Sequence, residues 1–395
     1  MRSLFLFLAI VATFFSSSVA ADLGTLVAER LSYMREVAAY KWLAQLPVED
    51  AQREQTILAL TREQSLRYGL QQAPSEQFFR LQMEAAKDVQ RYWFLQWSSG
   101  RVQPPVTAPD LAQVLRPRLG ELGAAIMQNL GDGGANFSGL TLQGLDDVRL
   151  AQLQHAANAI SHYDNRLEQV LDTGILRVAT TGDYPPFSSD TQTGELTGID
   201  IDMARNLALA LEVELRWVKT SWPTLMADFS SGQFDIGMSG ISMNLQRQKK
   251  AFFSLPYHTG GKTPIVRCEQ KTALDSLDKI DQPGVIVVVN PGGTNALFVS
   301  ENIRRAQVIV HADNRTIFSE IRDGRADVMF TDQIEVKLQS TQDDLLCAAM
   351  PGETLTFSRK AYLLPQDSVF KAYIDSWLSQ RIGEGLLLEL FNKHL

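Results

Sequence analysis

At Gly174 the hydrophobic period of this chain changes, and one core cannot serve both sides. Upstream, Leu23, Leu26, Val27, Leu31, Met34, Val37 and Ala38 recur at three- and four-residue steps, which sets them on one apolar stripe of a helical region ending by Pro47. A second helix starts at Asp50. Ala73-Pro74-Ser75 reads as a turn, with Ser75 as the N-cap of a long third helix that runs to about Trp97. Gly100 to Pro109 is a connector, helical pattern resumes over Leu111 to Leu130, Gly131 to Gly139 is a loop, and another helix is expected over Leu145 to Val170. Downstream, Ile175 to Ala179, Val213 to Val218, Asp235 to Met238, Val285 to Val289, Gln307 to Val310 and Asp327 to Phe330 are short apolar runs separated by helical stretches such as Ile201 to Leu211. That alternation implies an α/β body with a mostly parallel sheet.

The 395 residues suit such a division, because single cores rarely grow beyond about 250 residues. Arg2, the apolar run Leu4 to Phe15 and the small residues of Ser18-Val19-Ala20 form a secretory signal pattern, so the mature chain is expected to start near Ala21. The run is short of the ~20 residues that span a bilayer, so no membrane association is expected once it is removed. A net charge of −8 argues against nucleic acid as a partner. The only cysteines are Cys268 and Cys347, and export to an oxidising compartment would permit one disulfide. The five histidines (155, 162, 258, 311, 394) lack ligand spacing, and no phosphate-binding glycine motif occurs, so neither metal nor cofactor is expected.

Charges in the helical half fall on shared faces. Arg30 and Lys41 are eleven residues apart, within about 20° at 100° per residue. Asp50, Arg53 and Glu54 share a second face, and Lys87 and Gln90 a third. Turned inward they would make a mainly cationic pocket; turned outward they are ordinary surface charges. Their context is Val37-Ala38-x-x-Lys41-Trp42, Leu46-Pro47-Val48-x-Asp50-x-x-Arg53-Glu54 and Phe78-Phe79-x-x-Gln82-Met83-Glu84-Ala85-Ala86-Lys87-x-x-Gln90. It resembles the all-helical chorismate mutases, above all their secreted class. The resemblance implies that Arg30 and Arg53 hold the two carboxylates of chorismate, that Lys41 and Gln90 donate to its ether oxygen, and that Asp50 and Glu54 hold the ring hydroxyl or orient the cations. A further cation would come from Arg116, with Arg118 as the alternative. Ala86 stands where relatives often carry a hydroxyl.

The second half contains Leu176-Arg177-Val178-Ala179, Gly182-Asp183-Tyr184-Pro185-Pro186-Phe187, Gly198-Ile199-Asp200, Ser239 to Ser242 and Arg247. It resembles the periplasmic amino-acid-binding proteins, whose two α/β lobes close on a ligand. In that fold Arg247 would hold the ligand carboxylate in a bidentate fork beside Ser239, and Thr294 would offer donors to the same anion. Thr220-Ser221-Trp222-Pro223, Gly261-Lys262-Thr263, Asn290-Pro291-Gly292-Gly293-Thr294-Asn295 and Lys360-Ala361-Tyr362 resemble, more narrowly, the cyclohexadienyl dehydratases built on this fold. That resemblance pairs Cys268 with Cys347 and makes Glu335 a general acid. It sets Lys262 and Asn295 to position the ring hydroxyl and carboxylates, packs Trp222 on the ring, and puts Asp332 where relatives hold a ligand amine, which suits arogenate.

The chain is therefore expected to be multidomain: a signal peptide over 1–20, an all-α mutase bundle over 21–168, and a two-lobed binding-protein-like α/β domain over 172–395. One lobe would comprise about 172–262 and 363–395, the other about 263–362. Chorismate, prephenate and arogenate are the expected partners, in the periplasm, and self-association is left open. A solute-binding protein with a degenerate helical domain is the alternative. It does not explain why the product of one half is the substrate of the other.

Overall fold

The computed structural model describes residues 22–191 and 194–395; the expected signal segment lies outside them. The described residues form two compact units, one of 22–64 with Ala73–Ser161, the other of Ser65–Gln72 with His162–Leu395.

The first unit is helical. α1 (Leu23–Ser32) and α2 (Met34–Leu43) are separated by a single turn residue, Tyr33. All seven residues of the expected apolar stripe, from Leu23 to Ala38, are buried. α3 (Ala51–Tyr68) begins after Asp50, whose Oδ1 accepts from the Arg53 amide at 3.1 Å and so caps the first turn. α4 (Gln72–Ser98) starts earlier than expected: Ala73, Pro74 and Ser75 lie inside its first turn rather than before it. Proline is tolerated there because first-turn amides have no intrahelical acceptor. α5 (Arg116–Gln128) and α6 (Asp147–Asn158) follow. The helix expected over Leu145 to Val170 is in fact two. It breaks after Asn158, and Asn165 caps a new one, α7 (Arg166–Thr173), by accepting from the Glu168 amide at 2.9 Å. The apolar period runs through the break, but a strong N-cap restarts the helix. α7 belongs to the second unit, where Leu167 and Val170 pack into the core.

The second unit is a two-lobed α/β body with two five-stranded sheets. In one, Glu214–Lys219, Ile175–Thr180 and Ile236–Gly237 run parallel. In the other, Gln307–Val310, Ile286–Val289 and Val328–Asp332 do so. Each sheet is completed by two antiparallel pairings, so the sheets are mixed rather than mostly parallel. The reason is the chain path. His258–Gly260 and Ser358–Lys360 pair as the two crossings. Each delivers the next strand, Lys262–Arg267 or Leu363–Leu364, from the opposite end of the receiving sheet. The crossings touch closely: a Cβ on Gly261 would meet the Thr356 carbonyl oxygen at 1.8 Å, so only glycine fits beside Lys262. Cys268 and Cys347 are disulfide-bonded, joining the ends of neighbouring strands in the second sheet.

Candidate active sites

In the first unit, α1 to α5 surround a cavity of about 190 Å³. It is lined by Arg30, Lys41, Asp50, Arg53, Glu54, Lys87, Gln90 and Arg116, with apolar walls from Met34, Val37, Val48, Ile57, Phe79 and Leu119. Every polar residue singled out from the helical half, apart from Arg118, therefore faces one space. Arg118 instead makes surface ion pairs with Glu29 at 2.7 Å and Glu121 at 3.0 Å. Arg116 approaches Asp50 at 3.4 Å.

The cations here are held under tension. Arg30 is buried, and desolvation, then repulsion by Arg53, pulls its pKa down to about 10. It stays charged near neutrality, and an incoming carboxylate would relieve both penalties. Its Nη1 donates to Gln82 Oε1 at 2.9 Å. Gln82 is fully buried and was read only as part of the motif; it fixes the guanidinium from behind. Burial likewise lowers the Lys41 pKa, and Lys41 Nζ donates to the Val48 carbonyl at 2.5 Å, which anchors it at the cavity wall. Lys87 is bound by Glu84 at 2.7 Å and Glu54 at 3.4 Å, so the two carboxylates satisfy that ammonium and leave Arg30, Arg53 and Lys41 for an anion.

Gln90 donates its Nε2 to the Ala86 carbonyl at 3.1 Å, while its buried Oε1 has no hydrogen-bond partner among the described residues. A neutral amide donates at any pH, whereas a carboxyl there would first need a proton. Rearrangement of chorismate by the full chain is therefore expected to stay flat between about pH 5 and 8, where histidine is the ordinary titrating side chain. A steep loss of turnover across that range would remove Gln90 from its assigned position.

In the second unit the lobes enclose a cleft lined by Tyr184, Trp222, Ser242, Arg247, Lys262, Thr294, Asn295, Asn314, Asp332 and Lys360, among others. Its free volume is about 20 Å³, little more than one water needs, so the lobes must part to admit a substrate. Gly240, also on the wall, has φ 61°, and a Cβ there would meet the Phe187 ring at 2.5 Å. Buried Asp200 accepts from the Gly240 amide and from Tyr257 Oη at 2.7 Å, which holds this turn in place; desolvation raises its pKa to about 7.

Three buried cations converge on the cleft. Arg247 donates to the Ser242 carbonyl at 2.9 Å, and desolvation lowers its pKa to about 10. Lys262 Nζ lies 3.0 Å from Asp332 Oδ1 and also donates to Asn295 Oδ1. Lys360 Nζ lies 2.6 Å from Asp332 Oδ2. Tyr184 Oη donates to the same Asp332 oxygen. Burial opposes the charge on Asp332, but the two lysines hold it well below the ordinary carboxylate range. Lys360 and Tyr184 had no role assigned from sequence. Their signals were a lysine directly before the buried run Ala361 to Leu364, and a tyrosine before the prolines of the first turn.

Trp222 lines the cleft, its indole donating to Asp183 Oδ1 at 3.1 Å and its ring edge-on to Tyr184. Thr294 lies at the N-terminus of the helix Gly293–Asn302. Ser239 does not reach the cleft: its hydroxyl accepts from the Thr181 amide at 3.1 Å and meets the Ser188 hydroxyl at 2.6 Å, tying the turn behind the wall.

Glu335 is one layer deeper than expected. It is buried, accepts from Thr331 Oγ1 through Oε2, and has an Oε1 without a hydrogen-bond partner among the described residues. Thr331 in turn accepts from Asn295 Nδ2 at 3.3 Å, which connects it to the cleft wall. Desolvation raises the Glu335 pKa to about 8. That shift corresponds to about 5 kcal/mol, against the ~0.3–1 kcal/mol by which the start of its helix favours a carboxylate. Burial wins, and the group keeps its proton at neutral pH.

Similarities to known proteins match this geometry. The bacterial extracellular solute-binding proteins, family 3, match over residues 176–395. Chorismate mutase type II matches over residues 18–91. The cyclohexadienyl dehydratase of Pseudomonas aeruginosa is 51% identical over 232 residues, 59% of this chain and 87% of that protein. The L-cystine-binding protein of Escherichia coli is 30% identical over 231 residues, 58% of this chain and 85% of its own length. A solved ancestral amino acid-binding protein, described as a precursor of cyclohexadienyl dehydratase, is 30% identical with a TM-score of 0.54, covering 58% of this chain and 98% of that one. The chain belongs to the family-3 bacterial extracellular solute-binding proteins, on the cyclohexadienyl dehydratase side of that family, and it carries a type II chorismate mutase domain ahead of this body.

Proposed function

We propose that this chain is a bifunctional enzyme of phenylalanine formation. Its helical unit converts chorismate to prephenate, and its cleft converts prephenate to phenylpyruvate, or arogenate to phenylalanine, with loss of water and carbon dioxide. The first step is an intramolecular rearrangement. It needs the folded conformer held and charge stabilised at the departing ether oxygen, with no nucleophile or metal. Arg30 and Arg53 suit the two carboxylates, and Lys41 and Gln90 suit the ether oxygen.

In the second step the ring hydroxyl takes a proton from Glu335 and leaves as water. The bond from the ring to its carboxylate breaks, and that electron pair completes the aromatic ring. Prephenate dianion plus one proton gives phenylpyruvate, carbon dioxide and water. Arg247 suits the side-chain carboxylate, and Lys262 with Asn295 suits the hydroxyl end.

The observation that carries this reading is Glu335, a carboxyl kept protonated to about pH 8 behind a cleft of buried cations; a cleft that only binds and releases a solute has no use for a buried acid. Action outside the cytoplasm is part of the proposal. It is supported by the extracellular character of the family, and among the described residues no helix is long and apolar enough to cross a membrane. Purified chain given chorismate should release prephenate and then phenylpyruvate. Consumption of neither chorismate nor prephenate would end the enzyme reading.

A further inference from the structure

Arg30 is a buried guanidinium with no acid beside it. Burial and the charge of Arg53 both work against it, and among the described residues no carboxylate forms an ion pair with it. The two acids that line the cavity are committed to other cations. Asp50 meets Arg116 at 3.4 Å, and Glu54 meets Lys87 at 3.4 Å. What holds Arg30 is Gln82, whose Oε1 accepts from Nη1 at 2.9 Å.

Glutamine is an unfavourable residue for that task if stability is all that counts. Gln82 is wholly buried, and its neighbours on α4, Phe78, Phe79, Met83 and Ala85, are buried as well. A guanidinium only donates, so the amide must turn its oxygen to Arg30. Gln82 Nε2 is then left without a hydrogen-bond partner among the described residues. A buried donor without an acceptor is destabilising. Leucine would remove that donor but lose the bond to Arg30. Glutamate would accept more strongly, leave no donor behind and balance a buried cation that is otherwise uncompensated. A neutral acceptor does what neither can: it orients the guanidinium and leaves the positive charge for a ligand.

We infer that Gln82 is a positioning residue of the mutase cavity, aiming Arg30 as a neutral acceptor while leaving its charge to a substrate carboxylate. This rests on the mutase reading and deepens it. Gln82 does not line the cavity and acts on the substrate only through Arg30.

The test compares Gln82→Glu and Gln82→Leu with the wild type, as full chains at pH 8 with chorismate as substrate. Gln82→Glu keeps the size and the hydrogen bond but neutralises Arg30. Its KM should rise at least about 10-fold while kcat changes less than about 3-fold, because a carboxylate grip serves ground state and transition state alike. Gln82→Leu keeps the charge and loses only the aim, so its KM should rise less than that of Gln82→Glu. A purely structural glutamine gives the opposite order, since glutamate retains the bond and leucine does not. That opposite order, or an unchanged KM in both variants, overturns the inference. Thermal unfolding supplies a second measure. Gln82→Glu should melt no lower than the wild type although it binds chorismate more weakly; a variant that melts lower or fails to fold also overturns the inference. A wild type that does not consume chorismate removes the mutase reading itself, and is thereby distinguished from a wrong order of the variants.

Discussion

Glu335→Gln is expected to lower dehydratase kcat by about 10²–10⁴-fold, the range for removing a positioned general acid. The variant should leave the mutase rate unchanged, so that chorismate accumulates as prephenate. Glutamine keeps the shape and can still accept from Thr331, but it has no proton to give a leaving hydroxyl. The wild-type profile supplies an independent check. The Glu335 pKa is raised from 4.5 to about 8 by desolvation, so the acid form is present below that value and kcat should fall as pH rises through about 8. Stability follows the same sign. In the unfolded chain the carboxyl ionises above 4.5, while the folded chain keeps its proton to about 8. The contribution of this group is therefore complete below 4.5 and is lost as pH climbs to about 8. Glu335→Gln should flatten that part of the stability profile. A normal dehydratase rate in the variant, with the wild-type pH profile kept, would take the acid role away from this residue.

Lys41→Met is expected to lower mutase kcat/KM by about 10²–10³-fold, or about 2.7–4 kcal/mol, the loss typical of one donor to a developing oxyanion. The methionine fills the stem of the lysine, so the loss reports the ammonium. Its Nζ is anchored on Val48 and faces the cavity opposite no carboxylate ion partner among the described residues. Fed with prephenate, the same variant should produce phenylpyruvate at the wild-type rate. A variant that still rearranges chorismate normally would demote the helical unit to a structural attachment.

Much of this was legible in the chain, and the misses have physical causes. The apolar stripe of α1 and α2 is visible because 3.6-residue periodicity is local. The helix break before Asn165 is hidden because the same periodicity continues through it, and only the cap reveals the restart. Ser75 looked like a cap because its neighbours are turn-formers, yet Pro74 is equally at home in a first turn. Ser239 belongs to the motif that shapes the cleft, but its hydroxyl turns inward to Thr181 and Ser188.

Sequence by itself determined the two bodies, the strand and helix alternation, and the residue types each site would draw on, because these depend on period and on motifs of contiguous residues. Only tertiary structure decided which of Arg116 and Arg118 lines the helical cavity. Two residues apart on a helix they diverge by about 200°, and only the packing of α5 in the bundle sends one to Asp50 and the other to Glu29. Tertiary structure also set the chemistry of Asp332. Its partners come from positions 184, 262 and 360, brought together by two chain crossings and a lobe interface. Between two buried ammonium groups its carboxyl is held ionised, because the balancing charges come from residues far away in sequence.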